Sequence, residues 1–206
     1  MKLLIFSDIH GDARALTRLL AVEADYYFCA GDLVNFGRHL DAMGEILKQR
    51  ADRMYVIPGN HESAEQITAL CEKFSLHDFH GGQIQIGDFQ VTGLGYSNPT
   101  PFETPGEYSE EELEERLHKF DGLKPMISIC HVPPYGTMLD RITNLKHAGS
   151  KAMRAFLKRE QPRYFFCGHI HEAAGAAEML GTTSAMNVGK KGYLLDLDQQ
   201  VEWGML

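Results

Sequence analysis

Residues 1–12 read MKLLIFSDIHGD, and their reading decides the fold. After its lysine, KLLIF at 2–6 is continuously apolar, the pattern of a strand buried on both faces, as in a parallel sheet covered by helices. The chain turns polar at once, with Asp8 and His10 in the loop, before ARALTRLLAV at 13–22 takes up helical spacing. This unit of strand, polar loop and helix recurs. Four more short apolar runs are expected to be strands: YYFCA at 26–30, MYVIP at 54–58, MISIC at 126–130 and YFFCG at 164–168. Helices are expected between them, over 39–50, from the Ser63/Gln66 capping box to about Phe74, from the Ser109/Glu112 box, and over 150–160, stopped by Pro162. Two stretches break the rhythm. QIQIGDFQVTGL at 83–94 reads as a hairpin around Gly87-Asp88, and the chain after Thr183 (SAMNVGKKGYLLDLDQQVEW) reads as strands joined by polar turns. Extra antiparallel strands beside a parallel core predict a second sheet packed on the first.

Each apolar run is followed by residues that carry chemistry. Asp8-Ile9-His10 comes after the first, Gly31-Asp32 after the second and Gly59-Asn60-His61-Glu62 after the third. His131 follows the fourth and Gly168-His169-Ile170-His171 the fifth. In an open α/β sheet, ligands bind outside the carboxyl ends of the strands, so all five loops can converge on one crevice. Two carboxylates, one amide and five histidines suit Mn, Fe, Zn, Co or Ni better than an all-oxygen Mg or Ca cage. There are more donors than one ion can use; two divalent ions about 3.5–4 Å apart would use them all. A lone Asp-x-His carries little weight, and a single histidine is more often packed or on the surface. Five such coincidences at the same end of five expected strands are hard to explain structurally.

With 206 residues, 44% of them apolar, the chain fits a single domain spanning 1–206. Cys29, Cys71, Cys130 and Cys167 form no C-x-x-C pair, and three of them end apolar runs. Reduced thiols in the core, and a cytoplasmic protein, are expected. The opening apolar run is too short and too soon interrupted by acids for a signal peptide, and no later run approaches membrane-spanning length. The net charge of −8, with acids gathered in EYSEEELEERLH at 107–118 and no Lys/Arg block, argues against a nucleic-acid polymer or an anionic membrane as partner. A homo-oligomer is compatible with the sequence.

The ordered strings DIH at 8–10, GD at 31–32, GNHE at 59–62, His131 and GHIH at 168–171 resemble the calcineurin-like metallophosphoesterase superfamily over most of the chain. HVPPYGTMLD and GHIHEAAG look like its small bacterial and archaeal members and its cyclic-nucleotide phosphodiesterase-like branch. The resemblance implies an α/β four-layer αββα sandwich, with two facing mixed β-sheets flanked by helices. It also implies that Asp8, His10 and His171 bind one ion, that Asn60, His131 and His169 bind the other, and that Asp32 bridges the two. A carboxylate is the natural bridge, and the neutral Asn60 carbonyl spares the site excess negative charge. A bridging hydroxide would be the nucleophile, leaving a net charge of about +1 that draws in an anionic phosphate. His61 is not on the metal list; the family places it as general acid or transition-state stabiliser, a role typically worth about 10²–10⁴-fold. Gly31, Gly59 and Gly168 are expected to permit tight turns, and Glu62 either to orient His61 or, as the favoured reading, to begin the following helix.

The phosphoprotein phosphatases of that superfamily carry GDxVDRG, where this chain has GDLVNFG. Asn35 supplies no carboxylate to hold a protonated His61, and Phe36 cannot fork onto a phosphate as arginine does. This disfavours protein phosphatase activity and points to a small phosphate ester. One fewer cation costs a dianion more than a monoanion, so a diester is expected over a monoester. Ser150 reads as an N-cap, with a substrate-phosphate site at that helix as the sharper reading. His39, His77, His80 and His118 read as surface. The loop GYSNPTPFETPGEY at 95–108 is either a plain connection or a cover that lets Tyr96, Phe102 or Tyr108 stack on a base. A competing class is a metal-binding scaffold of the same fold without activity, like the retromer subunit. Retention of His61 and all seven ligands favours an enzyme. A repair-type nuclease would want a basic track, which is not visible.

Overall fold

The computed structural model describes residues 1–199. In chain order its strands are β1 (Lys2–Phe6), β2 (Tyr26–Cys29), β3 (Met54–Val56), β4 (His77–Asp78), β5 (Gly82–Ile86), β6 (Phe89–Leu94) and β7 (Met126–Cys130), then β8 (Arg141–Thr143), β9 (Lys146–His147), β10 (Tyr164–Cys167), β11 (Ala177–Leu180), β12 (Thr183–Asn187) and β13 (Tyr193–Asp196). The helices are α1 (Ala13–Leu20), α2 (Leu40–Leu47), α3 (Ala64–Phe74), α4 (Glu110–Leu117) and α5 (Lys151–Glu160).

The five apolar runs form strands, but they do not share one sheet. One sheet runs β13-β1-β2-β3-β4, and the other β11-β12-β10-β7-β6-β5. Pairing is parallel from β1 through β4 and from β12 through β6; β13, β11 and β5 join antiparallel at the sides. Alternation along the strands explains the split, because each face has its own apolar layer. Leu4, Phe6, Tyr27 and Cys29 pack with Leu16, Leu47 and Ile67 of α1, α2 and α3. Leu3, Ile5 and Phe28 meet Ile127, Ile129 and Phe166 between the sheets. Phe165 and Cys167 pack with Leu113 of α4 and with Met153 and Phe156 of α5. The result is the expected four-layer αββα sandwich. Truncating Phe166 to alanine would cost about 3–5 kcal/mol, a large share of a domain's stability.

Helix starts follow the sequence closely. Asp12 caps α1, both capping boxes form, and Ser150 accepts from Met153 N to cap α5. The stretch 39–50 is shorter than expected: α2 ends at Leu47 and a 3-10 segment follows over Lys48–Arg53. Arg50 leaves helical geometry there while its guanidinium donates to Leu20 O and Glu23. The 83–94 hairpin is β5–β6, and β12 and β13 occupy the expected tail, of which residues 200–203 lie outside the described residues.

The two sheets bring their carboxyl ends to one edge. His131, just past β7, donates from Nδ1 to Ala30 O, just past β2 (2.8 Å). Asp8 N bonds to Gly31 O, and Gly168 N to His131 O, so loops from both sheets knit into one floor.

Candidate metal centre

Four of the expected ligands sit in strained backbone. Asp8, His10, Asp32 and His169 all have left-handed φ, between 49° and 69°. Such conformations are uncommon for residues with a Cβ, and they cluster where a site over-determines them. The glycines were expected to carry this burden, but only Gly31 among the three has positive φ (97°). Gly59 and Gly168 instead provide room: a Cβ on Gly59 would strike the Asp32 carboxylate, and one on Gly168 would strike Ser7 and Asp8.

All eight predicted side chains gather at this floor. Asp8, His10, Asp32 and His171 form one donor group and Asp32, His131 and His169 another, so Asp32 belongs to both. Asn60 joins the second, its Oδ1 lying 3.1 Å from His131 Nε2 and 2.9 Å from His169 Nδ1. His10 Nε2 stands 2.9 Å from His171 Nε2 and 3.6 Å from Asp32 Oδ2. His131 Nε2 is 3.4 Å from the same Asp32 oxygen, and His171 Nε2 is 3.7 Å from Asp8 Oδ1. His61 lines the cleft above them without joining either group.

Partners outside the two groups set the tautomers. His10 Nδ1–H donates to Asn35 Oδ1 (2.8 Å), leaving Nε2 with a lone pair that faces His171. His131 Nδ1–H donates to Ala30 O, so a neutral ring turns its Nε2 lone pair on the Asn60 oxygen. Asn60 is aimed by its Nδ2, which donates to Thr104 Oγ1 (3.0 Å). Thr104 in turn donates to Glu107. Acceptors facing acceptors at about 3 Å repel unless a cation, proton or metal, lies between them. The donor set therefore fits divalent ions.

Burial shapes the charges. It pulls His10 down to about 4 and His169 to about 3, so both rings are neutral, the form that ligates metal. His61 is lowered too, by burial first, against the pull of Asp32. Burial raises the Asp8 carboxyl. For Asp32 burial works in the same direction, but the neighbouring His131 wins and the carboxyl falls. His131 shows the counterpart, raised to about 9 by Asp32 against its own burial.

Several residues act here in ways that the sequence reading did not give. Glu62 does not begin the helix; Ser63 takes the N-cap. Glu62 is wholly buried and accepts from Asp32 N, Gly59 N and Val34 N, tying the second and third loops together. Burial, then Asp32, raises its pKa to about 8. Asn187 Nδ2 donates to Gly168 O and Ile170 O, holding the fifth loop. Phe36 packs edge-on against the His61 ring, and its N–H donates to His61 Nδ1 (3.3 Å). Of the three aromatics in the 95–108 loop, Tyr96 and Tyr108 turn away and pack on His80, and only Phe102 lines the cleft. His80 is correspondingly half-buried, not a surface residue; its Nδ1 accepts from Gly95 N. Ser150 and Ala152 N bond to Glu110, so the N-terminus of α5 already has its anion.

The family model for calcineurin-like phosphoesterases matches residues 1–173. An uncharacterised protein of Methanocaldococcus jannaschii is 34% identical over 202 residues, covering 95% of this chain and 91% of its own. A probable glycerophosphodiester phosphodiesterase of Arcobacter nitrofigilis is 27% identical over 163 residues, 75% of this chain and 59% of the relative. Among solved structures, a protein of Thermus thermophilus superposes with a TM-score of 0.72 at 20% identity, over 95% of this chain and 98% of its own. A dimetal phosphatase from Danio rerio gives 0.56 at 13%, over 90% and 86%. At these identities the two structures show a shared fold. Among the described residues no helix is long and apolar enough to cross a membrane.

Proposed function

This chain belongs to the calcineurin-like phosphoesterase family, a family of metal-dependent hydrolases of phosphate esters, and on that premise we propose that it is a dinuclear phosphodiesterase acting on small esters. The observation that carries the reading is the sharing of Asp32 between two donor groups on the floor of one cleft. Asp8, His10 and His171 would hold one divalent ion, Asn60, His131 and His169 the other, and Asp32 both. When bound, such a pair would acidify a shared water into the nucleophile and polarise the phosphoryl oxygens.

The chain's own groups do the rest. Asn35 and the Ala30 carbonyl keep the ring tautomers of His10 and His131 fit for ligation. His61 is held from both sides, its backbone N–H donating to Asp32 Oδ1 and its Nδ1 accepting from Phe36 N–H. A neutral ring so engaged carries its proton on Nε2, and that atom would donate to the leaving oxygen. No arginine faces the phosphate at position 36, which suits a diester monoanion better than a monoester dianion. The phosphodiesterase named among the relatives supports the same choice. We read residues 1–206 as one domain and place it in the cytoplasm. All four cysteines are free and buried, and burial pushes Cys71 and Cys130 up to about 12, so these thiols stay protonated and inert.

The test is kcat/KM for bis-p-nitrophenyl phosphate and p-nitrophenyl phosphate on one metal-loaded preparation at neutral to mildly alkaline pH. The diester should be faster, and Phe36→Arg should shift the ratio toward the monoester. A clear monoesterase preference in the wild type would contradict the diester reading.

A further inference from the structure

The cleft above the floor has a volume of about 440 Å³, and two segments that contribute no candidate ligand form its walls. One wall is the loop 99–102, with Phe102 at its end; the other is the β8–β9 hairpin, through Ile142 and Lys146. Both walls are braced. Phe102 N bonds to Thr100 Oγ1, and Thr100 and Thr104 both bond to Glu107, so the Phe102 loop and the Asn60 amide share one support. At the base of the hairpin the buried Asp140 accepts from Gly136 N, Thr137 N, Gly149 N and His147 Nδ1.

Large apolar side chains left in water are concentrated here. Seven are exposed among the described residues, and three of them stand on or beside this cleft. Phe102, 74% exposed, lines one wall; Leu145, 96% exposed, tips the hairpin; Phe36 leans on His61. An apolar rim around a polar floor marks a ligand groove. The walls are mostly apolar, through Pro99, Pro101, Phe102, Ile142 and Ala148; the Thr100 hydroxyl is engaged by Glu107, which leaves Lys146 and Glu172 as the side chains there that a polyol could bond. An exposed phenyl ring and an isoleucine lining the same cleft do offer a stacking face to a flat group.

We infer that the ester group retained beside the phosphate is aromatic, an aryl group or a nucleobase-bearing one, and that Phe102 and Ile142 are the specificity-determining residues that grip it. This rests on the phosphodiesterase reading of the same floor. A glycerol-like group, the substituent in the name of one relative, is the alternative that the walls disfavour.

The test keeps the leaving group constant. p-Nitrophenyl diesters whose other substituent is methyl, 2,3-dihydroxypropyl, phenyl or thymidine are compared by kcat/KM, because equal leaving groups leave the walls as the main variable. Phenyl and thymidine should each exceed methyl and dihydroxypropyl by about tenfold or more, and Phe102→Ala should collapse that ratio, with Ile142→Ala doing so less. The phenyl and thymidine arms separate a simple aryl preference from a nucleoside one. In parallel, calorimetry on metal-loaded protein compares phenylphosphonate with methylphosphonate, neither of which is hydrolysed. Wild type should favour the phenyl compound by a similar factor, and Phe102→Ala should remove the preference. A retained phosphonate preference with no ester turned over would sink the phosphodiesterase reading and support the aromatic slot. Turnover with equal methyl and phenyl values, a dihydroxypropyl preference, or an unchanged ratio in Phe102→Ala would overturn the inference and leave the phosphodiesterase reading standing.

Discussion

On one side of Asp32 stand Asp8, His10 and His171; on the other stand Asn60, His131 and His169. The first side adds a second carboxylate, the buried Asp8, and holds the most exposed ligand, the His171 side chain being 57% exposed. The second side has a neutral amide in that place and reaches deepest, with His131 wholly buried. Burial and charge therefore pull in opposite directions. Affinity for a divalent cation follows ligand charge and the proton that must be displaced, and burial of a neutral donor set adds no attraction. The first side should hold its ion more tightly despite its exposure. The second should be the weaker partner, because binding there must expel the proton that Asp32 holds on His131.

The largest effect lies between the two sides, at His61. His61→Asn should keep both ions and lose about 10²–10⁴-fold in rate, most for esters with poor leaving groups. Equal losses across a leaving-group series would show that His61 does not donate the proton, and the functional asymmetry would have to come from the ions alone.

pH should separate the two sides next. His131 is raised to about 9, so below that pH each unit costs the second side up to about tenfold in affinity. His10 is lowered to about 4 and is already neutral over the same range, so the first side's own proton cost comes from the Asp8 carboxyl, which burial raises, and not from an imidazole. Metal titrations at pH 6.5 and 8.5 should find the weak step about a hundredfold weaker at the lower value and the tight step much less changed. Parallel behaviour of both steps would break the comparison.

Smaller effects should come from the residues that aim the ligands. Asn35→Ala frees His10 and should weaken only the tight step; Thr104→Val frees the Asn60 amide and should weaken only the weak one. Each is expected at about 10–100-fold, read from the same titrations. Crossed effects would mean that the two groups are not separable.

Much of this comparison was legible in the chain. Apolar runs each ending in Asp, Asn or His give the floor its members, and the capping serines give the helix starts. The division into two sheets was not, because β1, β2, β7 and β10 are all buried on both faces and read alike; only their pairing distinguishes them. β4, β8 and β9 are two or three residues long and mostly exposed, with no periodicity to detect. The strained positions carry Asp and His where a glycine would have announced them. Thr104 looks like an ordinary loop residue, and Asn35 and Glu62, though they sit in the second and third motifs, give no hint of the bonds they make; the partners lie 44, 25 and 30 positions away.

The central claim is that two ions share Asp32. The direct measurement is calorimetric titration of chelator-stripped protein with Mn(II), followed by elemental analysis of the saturated product, on wild type and Asp32→Ala. Two ions per chain bound in two unequal steps, with both steps lost or severely weakened in Asp32→Ala, is the predicted result. One ion per chain in a single step, with Asp32→Ala still metal-loaded and active, would contradict the account.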